Sequence, residues 1–181
     1  MSDYIKPLTE STMTDFQSLF VNDKWEAYQC TCFIREDIDW ENINVEDSKQ
    51  WRSDFIKTCS DGYIYYYNDQ PVGWCQCVEP KCSNALTSII KPKESDNVKI
   101  ISCYFIKQGF RQRGLIKSIL PLVIEQCQAH GIETLYAIPT LDEKLDDPEV
   151  IPHTGFKSIY DKYDFSVIGK TEMSYIMKKS L

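Results

Sequence analysis

Two arginines and two glycines lie close together in the stretch KQGFRQRGLIKSIL, residues 107–120, directly ahead of an apolar run. Gly114 has no side chain, so a bulky ligand can approach the backbone closely there. A helix that begins near residue 112 would direct unpaired backbone N–H groups and the positive end of its dipole at the preceding loop. Arg111 and Arg113 add charged donors that suit phosphate oxygens. The junction therefore predicts a phosphate or pyrophosphate site.

Two familiar nucleotide-binding patterns do not fit this junction. GFRQRG matches the first half of a Walker P-loop, but the next residues of that motif must be Lys and Ser or Thr. Here they are Leu115 and Ile116, and Lys117 and Ser118 come two residues late. The dinucleotide fingerprint G-x-G-x-x-G is absent from the chain. The spacing therefore argues against both a P-loop NTPase and a Rossmann site.

The composition restricts the class of protein. A chain of 181 residues is long enough for a sizeable core, and we expect a single domain over residues 1–181. Hydrophobic residues make up 43% of the chain, which excludes a disordered or fibrous protein. Twenty basic and 27 acidic residues give a formal charge of −7, which argues against nucleic acid or an anionic membrane as the partner.

The chain shows no targeting signal. Its N-terminus has no apolar segment of signal-peptide length, and no stretch reaches the roughly eighteen apolar residues of a membrane span. We therefore expect a cytoplasmic protein without a membrane partner, whose eight cysteines are reduced thiols.

The cysteines include two closely spaced pairs. Zinc sites more often use C-x₂₋₄-C pairs supplemented by histidine, and both histidines of this chain, His130 and His153, are far from the paired cysteines. We therefore expect buried small side chains and no metal site. The pairs with C-x-C spacing are Cys30 with Cys32, and Cys75 with Cys77.

The elements around the junction predict an α/β fold with a mixed sheet. VKIISCYFI, residues 98–106, is nearly continuously apolar, as expected for a central strand covered on both faces. An apolar stripe with helical spacing follows the junction and ends at Gly131, although Pro121 favours a kink. TLYAI, residues 134–138, is the next strand. Strand, helix and strand in this order form a βαβ unit.

The remaining elements follow from hydrophobic spacing, aromatic and β-branched runs, and turn residues. We predict helices over 11–20 and 45–59, strands over 63–67 and 72–78, a loop over 80–97, and strands within 155–165 and 171–181.

The run FIKQGFRQRGLIKSIL resembles motif A of the GNAT superfamily of N-acetyltransferases. That motif, Q/R-x-x-G-x-G/A, lies between a long central strand and a helix. Arg111 and Gly114 match its leading and central positions, whereas Ile116 stands at the usual last Gly or Ala, so its side chain must point into the core or the loop must be wider. The order of elements over 60–181 is similar to the family's layout, and residues 21–59 are less similar.

The resemblance implies a fold and a cofactor. The fold is a single GNAT-like domain, with a mixed, mostly antiparallel sheet that has a splayed central strand pair and is flanked by helices. Acetyl-CoA, the acetyl donor, would bind where strands 98–106 and 134–138 splay apart. The backbone of Phe105 and Ile106 would pair with the pantetheine arm. The amides that would hold the pyrophosphate are those of Arg111, Gln112, Arg113, Gly114, Leu115 and Ile116.

The implied reaction is direct attack on the thioester by an amine of a small molecule or peptide. It needs a group that accepts the ammonium proton and a group that stabilises or protonates the thiolate. Many family members place a Tyr four residues before the Gly of a Gly-Phe pair, here Gly155-Phe156, and that position is Ile151. His153 is the replacement candidate and Glu79 the second candidate. Both are also ordinary surface residue types.

Alternatives from other classes remain. A non-catalytic CoA-binding regulatory module would explain the missing Tyr and the lack of a carboxylate on the central strand. A cysteine-based metal or redox protein would use the C-x-C pairs. For the leading hypothesis, the acidic run 36–47 and the aromatic residues suit a cationic or apolar amine. The aromatic residues that suit such an amine are Trp25, Tyr28, Trp40 and Trp51. A homodimer is also compatible with the sequence.

Overall fold

The computed structural model describes residues 3–36, 38–92 and 97–181, and seven strands among them form one open sheet. The strand order is β1-β2-β3-β4-β5-β7-β6. Only β4 and β5 pair in parallel within the described sheet, and every other pair is antiparallel. The predicted mixed, mostly antiparallel sheet is therefore confirmed. The strands are β1 Asp3–Pro7, β2 Gly62–Tyr67, β3 Gln70–Val78, β4 Val98–Ile106, β5 Thr134–Ala137, β6 Ser166–Lys170 and β7 Tyr175–Ser180.

Helices cover both faces of the sheet. One face carries a core of Phe16, Trp74 and Phe105 beneath the first three helices, and the other carries Ile119 and Tyr160 from the last two. The predicted βαβ unit is confirmed, because the fourth helix joins β4 to β5. The α-helices of the described chain are α1 Met13–Ser18, α2 Val45–Phe55, α3 Asn84–Ile90, α4 Ile116–Ala129 and α5 Lys157–Tyr160.

The prediction of a loop over residues 80–97 is wrong, because α3 lies within it. Ser83 caps this helix by accepting a hydrogen bond from the Leu86 N–H at 3.1 Å. Leu86 and Ile90 then bury one face of the helix in the core. Residues 93–96 of the predicted loop lie outside the described residues.

The prediction of a strand over residues 155–165 is also wrong. Ile159 and Tyr160 pack into the core from α5, and a left-handed residue, Asp164 with φ of 61°, turns the chain before β6. The first strand, β1, was not predicted, because it is a largely exposed edge strand without a clear hydrophobic pattern.

The expectation of eight reduced thiols is wrong at Cys59 and Cys82, which form a disulfide between the end of the α2 segment and the turn after β3. Their Cα atoms are 5.9 Å apart, within the range that this bond requires. The other six cysteines are free, and all of them except Cys32 are buried. Burial raises the pKa of the Cys75 thiol well above its usual range.

No cluster of three or more His, Cys, Asp or Glu side chains is placed to hold a metal ion in the described ranges. Among the described helices, none has both the length and the apolar character needed to cross a bilayer.

A buried ion pair fixes the connection between α1 and α2, residues 19–44, to the sheet. Arg52 of α2 pairs with Asp61, and both side chains are fully buried. A second guanidinium nitrogen of Arg52 donates to the carbonyl of Gln29. Nε2 of Gln76, on β3, donates to the neighbouring carbonyl of Cys30 at 3.0 Å. These side chains satisfy backbone groups that the irregular connection leaves without a ladder partner.

We expect Arg52→Met to lower the free energy of unfolding by about 3–5 kcal/mol, because it leaves the Asp61 carboxylate buried without its partner. Chemical denaturation measures this change. Lys57→Met is the control, since Lys57 pairs with Asp54 where both side chains are 55% exposed, and it should leave stability unchanged within error. Equal destabilisation by the two variants would contradict this role of Arg52.

Candidate active site

Strands β4 and β5 pair along only part of their length. Their parallel register begins with Val98 opposite Thr134 and ends with Ile101 opposite Ala137. Strand β4 continues to Ile106, so within the described sheet its second half has no strand partner on the β5 side. We call the gap that opens beyond this last pair the β4–β5 cleft.

The backbone groups of β4 alternate between β3 and the cleft. The Lys107 N–H donates to the Val72 carbonyl at 2.9 Å, and the register then places Phe105 opposite Trp74 as the next hydrogen-bonded pair. The N–H and carbonyl of Phe105 therefore point to β3, and those of Ile106 point to the cleft. Of the two residues predicted to pair with a pantetheine arm, Ile106 presents its backbone in the required direction.

Residues 151–155, which we call the wedge segment, lie beside the unpaired half of β4. The Tyr104 N–H donates to the carbonyl of His153 at 2.6 Å. The hydroxyl oxygens of Thr140 and Thr154 are 3.0 Å apart and share a hydrogen bond. The wedge segment is thus held between β4 and the extension of β5.

The wedge segment ends at a residue that must be glycine. Gly155 has φ of +87°, and a Cβ atom there would lie 3.3 Å from the ring of Tyr160. The Tyr160 hydroxyl also donates to the carbonyl of Thr154 at 3.0 Å. Backbone geometry and close packing therefore explain the Gly of the Gly-Phe pair.

His153 presents a proton acceptor to the interior of the site. Its Nδ1 is 2.9 Å from the carbonyl of Ile151, and a carbonyl can only accept, so Nδ1 carries the hydrogen. In the neutral ring Nε2 then has a free lone pair. Nε2 is buried without a protein partner in the described chain, and the ring lies 5.9 Å from that of Phe33. His153 therefore has the geometry of a general base.

The structure places Glu79, the second predicted catalytic residue, away from His153. Glu79 follows the end of β3, where Val78 lies opposite Ile100 in the paired half of β4. Its carboxylate forms an ion pair of 2.7 Å with Lys81. It contributes nothing to the cavity that contains His153.

A cavity of about 880 Å³ opens from the cleft on the α1 side of the sheet. Most of its wall comes from the α1–α2 connection, the end of β4, the wedge segment with the two residues before it, and the turn between β6 and β7. Ile89 of α3 and the residues directly after β5, Ile138 and Thr140, add to it. This volume lies in the range of small-molecule sites.

The loop between β4 and α4 leaves a run of backbone amides free. The N–H groups of residues 112–116 have no hydrogen-bond partner in the described parts of the chain. Helices α2 and α3 are capped by side chains, whereas Leu115 at the start of α4 provides no side-chain cap. Gln112 and Gly114 are left-handed, with φ of 62° and 72°. This arrangement of free amides at a helix N-terminus can bind an anion.

Both loop arginines are engaged within the protein. Arg111 donates from Nε to the carbonyl of Ile106 at 2.8 Å and from Nη2 to the carboxylate of Asp23 at 2.5 Å. Arg113 donates to the carbonyl of Gly109 at 2.9 Å. In this arrangement the predicted anion site depends on backbone amides, and Arg111 links the loop to the α1–α2 connection.

The two remaining loop positions differ in their surroundings. Ile116 packs against the core, which is the first of the two alternatives that its departure from the usual Gly or Ala left open. Beside Gly114 there is open space, since the nearest atom to an added Cβ would be Cδ of Lys117 at 4.0 Å.

Sequence reasoning missed most of the cavity wall and the Asp23 ion pair. The segment 20–33 has no helical or strand period, so nothing in it predicted which side chains face inward. Its density of aromatic residues, including Trp25 and Tyr28, was the one usable signal.

The chain belongs to the acetyltransferase (GNAT) family. The model of that family matches residues 19–146, which is more than half of the chain. No curated protein sequence matches the chain.

Solved structures show the same fold. PaiA N-acetyltransferase from Thermoplasma acidophilum, in complex with coenzyme A, is 14% identical with a TM-score of 0.57, and the match covers 100% of both chains. A GNAT-family acetyltransferase from Listeria monocytogenes is 11% identical with a TM-score of 0.64, over 99% of this chain and 95% of that one. The aminoglycoside acetyltransferase AAC(6')-Ib, in complex with paromomycin and acetyl-CoA, is 13% identical with a TM-score of 0.63, over 99% of this chain and 94% of that one.

Proposed function

We propose that this protein is an acetyl-CoA-dependent N-acetyltransferase, which moves an acetyl group to an amine of a small molecule or peptide by direct attack. One observation carries the proposal: the β4–β5 cleft lies between the free amides of residues 112–116 and a cavity that contains the unpaired Nε2 of His153. Membership of the family supports the reaction class. Structural neighbours that hold coenzyme A or acetyl-CoA support the donor.

The donor would bind along the loop and the cleft. The pyrophosphate would accept hydrogen bonds from the amides of residues 112–116, with the positive end of the α4 dipole behind them. The pantetheine arm would lie along β4 and pair with the cleft-facing N–H of Ile106, because the carbonyl of that residue already accepts from Arg111. This path directs the thioester towards the wedge segment and His153.

The chemistry requires two proton movements. An ammonium ion first loses one proton to Nε2 of His153, which produces the neutral amine. The amine nitrogen attacks the thioester carbonyl carbon, a C–N bond forms, and the C–S bond breaks as the intermediate collapses. The nitrogen gives its second proton to the departing thiolate, which becomes CoA, and His153 then releases the proton held on Nε2 to solvent.

A non-catalytic CoA-binding module is the second candidate, because Ile151 occupies the position at which many family members have Tyr. Its side chain is 43% exposed and has no proton to donate. A regulatory module would bind acetyl-CoA without releasing CoA in the presence of any amine.

We expect Gly114→Glu to weaken acetyl-CoA binding by about 10- to 100-fold, because the new carboxylate lies where the pyrophosphate accepts hydrogen bonds. Calorimetric titration with acetyl-CoA, CoA and ATP measures this loss, and ATP should not bind the parent protein. The matched control is Gly131→Glu at the other end of α4, where φ is +71° and space is also open. Parent-like binding by Gly114→Glu, or an equal loss in the control, would contradict the assignment.

We expect His153→Asn to lower kcat by about 10²- to 10⁴-fold, because Asn retains a donor for the Ile151 carbonyl but lacks the Nε2 base. The affinity for acetyl-CoA should not change. His130→Asn is the control, since its ring bonds the Gln126 carbonyl at the far end of α4. An unchanged rate in His153→Asn would rule out this base.

A further inference from the structure

The wall of the cavity is strongly apolar. The α1–α2 connection contributes aromatic rings, and β4 adds Tyr104 and Phe105. Aliphatic side chains such as Ile89, Ile138 and Val150 extend this apolar surface. The aromatic wall residues of the α1–α2 connection are Phe20, Trp25, Tyr28 and Phe33.

The charged groups of the wall do not favour a polycation. Lys24 lies over the ring of Trp25, with Nζ 4.9 Å from the centroid, and Arg111 pairs with Asp23. Glu149, an exposed residue, is the one carboxylate that the described wall contributes. No described residue of the acidic run 36–47 lines the cavity. The net negative charge of the chain is therefore not concentrated here, and a second or third ammonium group would meet cations.

The mouth of the cavity exposes large apolar side chains. Ile151 is 43% exposed and Met173 is 47% exposed, and both line the wall. Trp40, 39% exposed, stacks on Tyr28 with ring centroids 5.7 Å apart. An apolar ligand would cover this surface, which is costly to leave in water.

The polar end of the acceptor has a defined position. The ring centroid of His153 lies 5.9 Å from that of Phe33, whose face can also attract an ammonium group. With the amine there, the rest of the acceptor must extend along the aromatic wall. A peptide would bring several N–H and carbonyl groups against a surface that offers few partners for them, which is unfavourable.

We infer that the acceptor is a small primary amine with a single positive charge and an apolar body of aromatic size. This inference rests on the proposed transferase function and names the acceptor class of the same site.

The test compares amines by the release of CoA from acetyl-CoA. The panel contains 2-phenylethylamine and tryptamine, the polycations spermidine and kanamycin, and a tripeptide with N-terminal Phe. We expect kcat/KM for 2-phenylethylamine to exceed that for spermidine by about 10- to 100-fold, the value of burying one aromatic group. A preference for either polycation, or for the tripeptide, would overturn the inference and leave the transferase function intact.

A variant tests the wall directly. Ile151→Glu adds a carboxylate at the mouth, which attracts the additional positive charges of spermidine. It should lower the ratio of kcat/KM for 2-phenylethylamine to kcat/KM for spermidine by about tenfold. Ile168→Glu on β6 is the matched control, because Ile168 is 55% exposed and lies outside the wall, and it should leave the ratio unchanged. An unchanged ratio in Ile151→Glu would count against the inference.

A binding measurement separates the two levels of the proposal. Calorimetry of 2-phenylethylamine with the CoA-loaded protein reports on the wall without any chemistry. If 2-phenylethylamine binds but no amine causes acetyl-CoA to release CoA, the transferase function is refuted and the apolar acceptor site is supported. If acetyl-CoA releases CoA with amines of every class, and 2-phenylethylamine binds no more tightly than spermidine, the acceptor class alone is refuted.

Discussion

The end of hydrogen bonding between β4 and β5, at the pair Ile101 and Ala137, is the constraint on which the site depends. A strand buried within a sheet must still satisfy its N–H and carbonyl groups. One of these groups, the Tyr104 N–H, is satisfied by the carbonyl of His153, and this bond places the histidine ring beside the cavity. The Ile106 N–H faces the same cleft. On the open edge of β4 the wedge segment therefore bonds Tyr104, and a bound ligand would bond Ile106.

The anion site that we propose is compatible with an acidic chain because its attraction is local. The free amides and the dipole of α4 act over a few ångströms, whereas the net charge of −7 is spread over the surface and screened by salt. The ion pair between Arg111 and Asp23 joins this loop to the α1–α2 connection, and Arg52 fixes the same connection from its buried side. The loop before α4 and the wall of the cavity are therefore held to each other by the contacts that Arg111 and Arg52 make with this connection.

Local patterns predicted the elements that position the site, and long-range contacts decided the rest. The apolar run 98–106, the glycine at 114 and the stripe on α4 are each readable within a few residues. By contrast, the direction in which the N–H and carbonyl of Phe105 point depends on the register between β3 and β4. That register shifts between Gln76 and Cys77 of β3. The disulfide, the cavity wall and the short helix α5 likewise depend on segments that meet only in the folded chain.

Amide hydrogen exchange with and without CoA would locate the donor site, because we assign that site to particular backbone N–H groups. We expect CoA to slow exchange at Ile106 and at residues 112–116, while Gly131 at the far end of α4 exchanges at the same rate. Protection that appears elsewhere in the chain, with unchanged exchange over 106–116 at saturating CoA, would contradict the assignment of the cleft and the loop as the donor site.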